Sequence, residues 1–376
     1  MTKVKNWQLN REVEYPYAEP AEKRDYQWAM VFNPNRCIGC QTCTMACKST
    51  WTQGEGQEQM WWNNVETKPF GGFPVGWDFN LLQELPNGKT IFEAAPSGER
   101  VFGYQPDERE YDYPNIYEDV PAGEYPVAES DANGFVSKVD AVETDPDRDI
   151  PQRVWFFYLQ RVCNHCSYPA CLAACPRKAI YKREEDGIVL IDQKRCRGYR
   201  ECVKACPYKK PFFNSATKVS EKCIGCYPRI EQGLVTRCVA ACVGKIRLYG
   251  NINDPEGPLH YLVHEEKVAL PLYPQFGTQP NVYYIPPRWA PLEFLAQMFG
   301  NGDKNKVRET IQKYVHPSPK LLATLGLFGT TNEIIKKIEY ASDFSWAEGI
   351  TEQGKRVRVP VEEPLEIRQG DFSNEP

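Results

Sequence analysis

The residue whose number and spacing could do chemistry here is cysteine. There are 15, with none before Cys37 and none after Cys242. They fall into four groups. Cys37, Cys40, Cys43 and Cys47 read C-x2-C-x2-C-x3-C. Cys163, Cys166, Cys171 and Cys175, followed by Pro176, read C-x2-C-x4-C-x3-C-P. Cys196, Cys202 and Cys206, followed by Pro207, form a third group, in which Tyr199 stands where a cysteine would complete the run. Cys223, Cys226, Cys238 and Cys242 read C-x2-C-x11-C-x3-C. An odd count cannot all pair, and a chain of 376 residues can bury a core without covalent staples, so a disulfide framework is the weak reading. Structural zinc prefers C-x2-C pairs with four ligands per ion, and runs of three with a fourth at x3 do not have that spacing. Buried thiols acting as small hydrophobes occur singly, not in register. The spacing points to thiolate ligation of iron–sulfur clusters, whose chemistry is one-electron transfer.

The groups also repeat a phrase: Arg36-Cys37-Ile38-Gly39-Cys40, Arg195-Cys196-Arg197-Gly198-Tyr199 and Lys222-Cys223-Ile224-Gly225-Cys226. Glycine two residues after the first cysteine lets the backbone fold tightly round a bulky object, so that several N–H groups point at sulfur. The runs resemble those of bacterial ferredoxins, where the fourth cysteine of each run ligates the other cluster of a pair. Three close cysteines cap three corners of a cuboidal cluster from one loop, and the fourth corner needs a cysteine from a distant loop. Four groups therefore imply two ferredoxin-like modules with two clusters each. There is no C-x-x-C-H for covalent haem, no P-loop and no G-x-G-x-x-G.

The elements that must position these groups follow from local pattern. Tyr26 to Phe32 and Val154 to Leu159 read as strands leading into the first two groups. Ala179 to Asp192 reads as a hairpin about Asp186-Gly187, a strong turn signal. Phe212 to Val219 and Ile246 to Tyr249 supply shorter strands. Val268 to Pro287 is extended and proline-punctuated. Pro291 to Phe299, Lys304 to Tyr314, Pro319 to Leu327 and Asn332 to Tyr340 read as helices, with Val307, Ile311 and Val315 on one face. The tail from Thr351 is charged and extended. The expected fold class is α+β: two ferredoxin-like modules, a long irregular insertion and a partly helical C-terminal extension. The boundaries are an N-terminal arm at 1–25, module one at 26–50 and 221–250, the insertion at 51–152, module two at 153–220, and the extension at 251–376.

Composition bounds the rest. Apolar residues are 41% and charged residues 25%, an ordinary globular balance. Proline is 31 of 376, which favours extended segments. Mean hydropathy is -0.57, and apolar stretches such as Leu321 to Gly329 are far shorter than the ~20 residues a spanning helix needs. No membrane span is expected in this chain. Met1 to Trp7 has no apolar h-region and no twin arginine, so no export signal of its own is expected. Net charge is -5 and pI about 5.7, which speaks against a nucleic-acid binder. Gln105 to Ile150 carries 14 Asp/Glu against 3 Lys/Arg, a solvated face or a docking surface for a basic partner.

The chain resembles the four-cluster iron–sulfur β subunits of molybdenum oxidoreductases in the dimethyl-sulfoxide-reductase family. The resemblance rests on the cysteine groups and on Tyr181 to Asp192 (YKREEDGIVLID), Cys206 to Lys210 (CPYKK), Glu221 to Glu231 (EKCIGCYPRIE) and Asn63 to Pro69 (NNVETKP). These segments look like respiratory nitrate reductase β subunits. Asn6-Trp7-Gln8-Leu9, Gly56-Gln57-Glu58 and Met60 to Gly72 (MWWNNVETKPFGG) look most like nitrite oxidoreductase β subunits of the exported type.

The resemblance implies the wiring. Cys37, Cys40, Cys43 and Cys242 would hold one 4Fe-4S cluster, and Cys47, Cys223, Cys226 and Cys238 a second. Cys163, Cys166, Cys171 and Cys206 would hold a third. Cys175, Cys196 and Cys202, facing Tyr199, would hold a 3Fe-4S cluster. The competing reading is a Tyr199 phenolate ligating a fourth iron. His165, inside Cys163-Asn164-His165-Cys166, could hydrogen-bond a sulfur or a neighbouring cofactor, or be a packed structural histidine. Basic residues from Arg177 to Lys210 surround groups two and three, and cations near a cluster raise its potential. The implied partners are a molybdenum–bis-pterin α subunit and a haem-b γ subunit, with electrons relayed between them. No substrate site is expected in this chain. The implied location is extracytoplasmic, co-exported with the α subunit in a membrane-associated complex, with the cytoplasmic face as the alternative. Chlorate, selenate, dimethyl sulfide, ethylbenzene or nitrate enzymes of the same family are the alternative identities. A free polyferredoxin would need neither the long insertion nor the proline-rich C-terminal third.

Overall fold

The computed structural model describes residues 25–69, 72–74, 76–85, 90–92 and 155–361, and the backbone of two short paired strands, Lys3–Asn6 and Arg11–Glu14. The acidic segment 105–150, the rest of the arm and the end of the tail lie outside the described residues.

A four-stranded sheet holds the centre, in the order Arg247–Asn251, Trp28–Phe32, Val282–Tyr284, Leu270–Pro271. Trp28–Phe32 runs antiparallel to Arg247–Asn251 and parallel to Val282–Tyr284. It is apolar throughout because both of its faces are covered, as a buried central strand requires. Alternation then divides its side chains. Trp28, Met30 and Phe32 enter the larger core, together with most of the cysteines. Ala29 and Val31 enter a second core with Leu248, Leu262, Ile285 and Leu325. One strand thus ties the thiol-bearing region to the C-terminal elements.

Hairpins and short helices carry the cysteine groups. Ile180–Lys182 pairs with Val189–Ile191, and Phe212–Asn214 with Val219–Glu221. In the first turn Asp186 accepts the Ile188 N–H at 2.9 Å and Gly187 takes φ 69°. The helix Thr42–Trp51 packs on Arg237–Ala240, and Ala170–Ala173 packs on Glu201–Ala205. Mixed helix and strand content makes the fold α+β.

Helices form at Leu292–Phe299, Lys304–Val315 and Pro319–Gly326, where periodicity predicts them. Asp303 and Ser318 cap the last two by accepting backbone N–H groups of the first turn. The fourth expected helix is not one. Ile335–Tyr340 is a strand, paired with Trp346–Thr351, which pairs in turn with Arg356–Pro360. Ile335 and Ile338 are stiff at χ1 and favour a pleated surface. Within the described part of the charged tail, the Arg-Val alternation at Arg356–Pro360 forms the outer strand of this meander. No described helix is long and apolar enough to cross a membrane.

The expected strand after the insertion begins later, at Phe157–Arg161, because its partner is Asn64–Lys68. Buried charge fixes that pair. Arg161 binds the Glu66 carboxylate and lies 3.7 Å over the Trp77 ring. Lys68 sits 3.6 Å from Glu66 and 2.6 Å from Asp78, which also accepts the Tyr273 hydroxyl at 2.7 Å. Glu66 further accepts from the Phe73 N–H and the Trp77 indole. Burial alone would raise the Glu66 carboxyl, but Arg161, Lys68 and Lys210 outweigh it and hold it at about 2. A carboxyl that titrates below its ordinary 4.5 contributes stability fully present above about 4.5 and lost as pH falls through about 2. Stability of the wild-type chain should fall over that window. Glu66→Gln, which leaves Arg161 without its carboxylate while Lys68 keeps Asp78, should cost about 3–5 kcal/mol near neutral pH. Denaturant unfolding at several pH values checks both. A mutant as stable as wild type at pH 7 would contradict the role given to this cluster.

Candidate metal centres

The 15 cysteines are all free thiols, and only Cys40 is exposed. Their placement follows from the helices that bear them. Cys43 and Cys47 stand one turn apart on Thr42–Trp51. Cys238 lies on the helix packed against it, with Cys242 four residues on. The two helices exchange thiols. Cys37, Cys40, Cys43 and Cys242 line one cavity. Cys47, Cys223, Cys226 and Cys238 line a second. The other helix pair repeats the arrangement, with Cys171 on Ala170–Ala173 and Cys202 on Glu201–Ala205. Cys163, Cys166, Cys171 and Cys206 line a third cavity. Cys175, Cys196 and Cys202 remain. Burial first, and then Cys175 and Cys196 nearby, push the Cys202 thiol up to about 12.

Sulfur is the chief donor facing each cavity, and some of the buried thiols are costly to ionise there. Burial pushes Cys226 up to about 11, and Cys171 and Cys223 well above the ordinary thiol range. A strongly electrophilic multi-metal group would offset that cost. Among the described residues no three Cys, His, Asp or Glu side chains converge tightly enough for a single metal ion. Four thiols lining one recess from separate chain segments fit a cuboidal cluster, whose corners face outward.

Backbone N–H groups point at the sulfurs. Gly225 donates to Cys223 Sγ at 3.4 Å, Arg237 to Cys226 at 3.4 Å, and Ile246 to Cys242 at 3.5 Å. In the three-thiol group, Ala179 donates to Cys175 and Ser220 to Cys196, both at 3.3 Å. Tyr199 is 59% exposed, on the turn between Cys196 and Cys202. His165 is buried, lines the third cavity and packs 4.6 Å from Trp28. Its Nδ1 accepts the Val189 N–H at 3.0 Å, which leaves its hydrogen on Nε2. Burial, followed by Lys222 and Lys182 nearby, holds its pKa well below 6.5 and keeps the ring neutral.

Three contacts have no counterpart in the sequence analysis. Arg247 Nη2 donates to Cys43 Sγ at 2.9 Å. Lys222 Nζ donates to Cys163 Sγ at 3.6 Å. The Trp51 indole donates to Cys226 Sγ at 3.2 Å. A basic residue precedes the first cysteine in each repeated phrase, which flags Lys222. Yet Arg195 in the same place keeps 68% side-chain exposure, so the pattern does not report burial. Arg247 sits in a short strand with nothing local to mark it. Of the basic residues around groups two and three, Lys182, Lys209 and Lys210 are buried, whereas Arg195, Arg197 and Arg200 are exposed.

Comparison with known proteins follows the same outline. Residues 154–252 match the 4Fe-4S dicluster domain family, and residues 28–49 match a 4Fe-4S binding domain. The chain is 43% identical to the selenate reductase subunit beta of Thauera selenatis, over 80% of this chain and 90% of that one. It is 44% identical to the chlorate reductase subunit beta of Ideonella dechloratans, with the same two coverages. It is 48% identical to the respiratory nitrate reductase subunit beta of Haloferax mediterranei, over 71% of this chain and 76% of the relative.

The glycine of the repeated phrase has a structural reason at Gly198. Its φ is +65°, and an added Cβ would lie 2.4 Å from the Lys218 carbonyl oxygen, a backbone atom that cannot step aside. Gly198→Ala should destabilise the chain by more than about 1 kcal/mol. It should displace Cys196 and Cys202 and lower iron content at that site while the other three cages keep theirs. Iron analysis with low-temperature paramagnetic resonance would show this. Unchanged loading at all four sites would contradict it.

Proposed function

The chain belongs to the iron–sulfur β subunits of the dimethyl-sulfoxide-reductase family of molybdoenzymes, and we propose that it is the electron-transfer subunit of a nitrite oxidoreductase-type complex. In this reading Cys37, Cys40, Cys43 and Cys242 hold one 4Fe-4S cluster. Cys47, Cys223, Cys226 and Cys238 hold the second, and Cys163, Cys166, Cys171 and Cys206 the third. Cys175, Cys196 and Cys202 hold a 3Fe-4S cluster beside Tyr199. The observation that supports it is the exchange of thiols between helix pairs, which lines three cavities with four sulfurs each and leaves Cys175, Cys196 and Cys202 outside them. Residues 26–50 with 221–250 form module one, and 153–220 form module two.

The clusters supply one-electron steps. Two electrons from each nitrite cross singly from a molybdenum–bis-pterin α subunit to a haem-b γ subunit. Support for two partner contacts comes from the surface. Exposed Cys40 is flanked in sequence by Ile38, 63% exposed, and Val243 beside Cys242 is 62% exposed. Tyr199, at the three-thiol site, is an exposed large side chain next to another cysteine group. The complex belongs on the extracytoplasmic side in this reading. The nitrite assignment draws on Asn6 to Leu9 and Met60 to Gly72. The second reading is a selenate or chlorate reductase subunit, favoured by the identities over 80% of the chain.

The complex purified with its native large subunit distinguishes the readings. Anoxic nitrite should reduce the clusters and bleach the oxidised paramagnetic signal. If nitrite leaves that signal intact while selenate or chlorate reoxidises the dithionite-reduced chain, the reductase reading replaces this one.

Tyr199→Cys tests the three-iron assignment. Oxidised wild type should show a spin-half signal near the free-electron g value. The variant should lose it as the site becomes 4Fe-4S, and the potential there should fall, because a fourth thiolate favours the oxidised cluster. A fully loaded wild type without the signal would show that Tyr199 is a ligand.

A further inference from the structure

Two buried cations stand where successive thiol cages adjoin. Arg247 is fully buried in the strand Arg247–Asn251. It donates to Cys43 Sγ at 2.9 Å and to Asn63 Oδ1 at 3.1 Å, and lies 4.5 Å over the Phe32 ring. Cys43 lines the first cavity, and Cys47, one helical turn on, lines the second. Lys222 is 3% exposed. It donates to Cys163 Sγ in the third cavity at 3.6 Å, to the Cys223 carbonyl at 2.9 Å, and to the Val189 carbonyl. Cys223 lines the second cavity. Lys222 therefore bonds a thiol of one cage while its chain neighbour lines the next, and Arg247 bonds a thiol on the helix turn that separates the first cage from the second. Among the described residues neither has a carboxylate partner.

A buried cation without a carboxylate is costly unless other negative charge faces it. Here that charge is the thiolates and, on each reduction, the cluster itself. We propose that Arg247 and Lys222 are shared counter-ions, each raising the reduction potentials of two successive clusters together. A cation serving one cluster alone would open a step in the wire. A cation between two lifts both and keeps the step between them small. Arg247 holds its charge at every working pH, so its share does not vary with proton concentration. The inference rests on reading the cages as cluster sites.

The test uses the full complex carrying Arg247→Met or Lys222→Met, with iron and sulfide measured first. Potentiometric titration followed by low-temperature paramagnetic resonance then reports each cluster separately. Arg247→Met should change the oxidised-to-reduced ratio of the first and second clusters together by about tenfold at fixed ambient potential, 59 mV downward for a one-electron couple. The third and fourth clusters should stay in place. Lys222→Met should move the second and third. Arg247→Lys and Lys222→Arg, which keep the charge, should stay within about twofold of wild type in the same ratio. A purely structural role would change loading or melting without paired shifts. At full loading, unchanged potentials, a single cluster moving alone, or charge-keeping variants that shift as far as the methionines would overturn the proposal. Should a methionine variant fail to load, its charge-keeping partner decides: loaded with both potentials held, it supports the proposal, and loaded with one displaced, it overturns it. If wild type itself carries no clusters in these cages, the iron–sulfur reading of the chain is what fails.

Discussion

The governing constraint is that one loop can face three thiols toward a cuboidal cluster but cannot turn a fourth to its far corner. A second chain segment must supply it. In this chain short helices pack in pairs, with cysteines four residues apart on them or just past their ends. Cys43 and Cys47 point into different cavities, and so do Cys238 and Cys242. Much else follows from holding such helix pairs in place. The strand Trp28–Phe32 precedes the first group, Arg247–Asn251 follows the last, and pairing them closes the module. The C-terminal elements cover the other face of that strand, so its burial does not depend on the thiols.

Charge is the second theme, and it follows from the first. Thiol cages sunk in an apolar core are costly to ionise, and the protein answers with buried donors and cations. Backbone N–H groups reach five of the cage sulfurs, and Trp51, Arg247 and Lys222 reach three by side chain. The Glu66–Arg161–Lys68–Asp78 cluster shows the same rule without cysteine. It fixes the strand that leads to Cys163 against the strand that follows the first cysteine group.

What was legible in the sequence was what is local. The four cysteine groups, the glycine of the repeated phrase and the Asp186-Gly187 hairpin all encode their structure within a few residues. The three well-formed C-terminal helices carry their own period, and the last two their own caps. What was not legible depends on distant partners. Asn332 to Tyr340 reads as a helix in isolation, while the strands that pair with Ile335–Tyr340 and make it part of a meander lie downstream. Asn64–Lys68 is too polar to read as a buried strand until Arg161 and Asp78 are placed beside it. Arg247 is a lone arginine in a short strand, and its sulfur contact joins residues about 200 positions apart.

The central claim is that the cysteines form four cluster cages and not zinc knots. Quantitative iron, acid-labile sulfide and zinc on the anoxically purified chain, confirmed by its intact mass, tests it most directly. The account predicts about 15 irons and about 16 sulfides per chain, with zinc at trace level. About one zinc per four cysteines, with little sulfide, would contradict it.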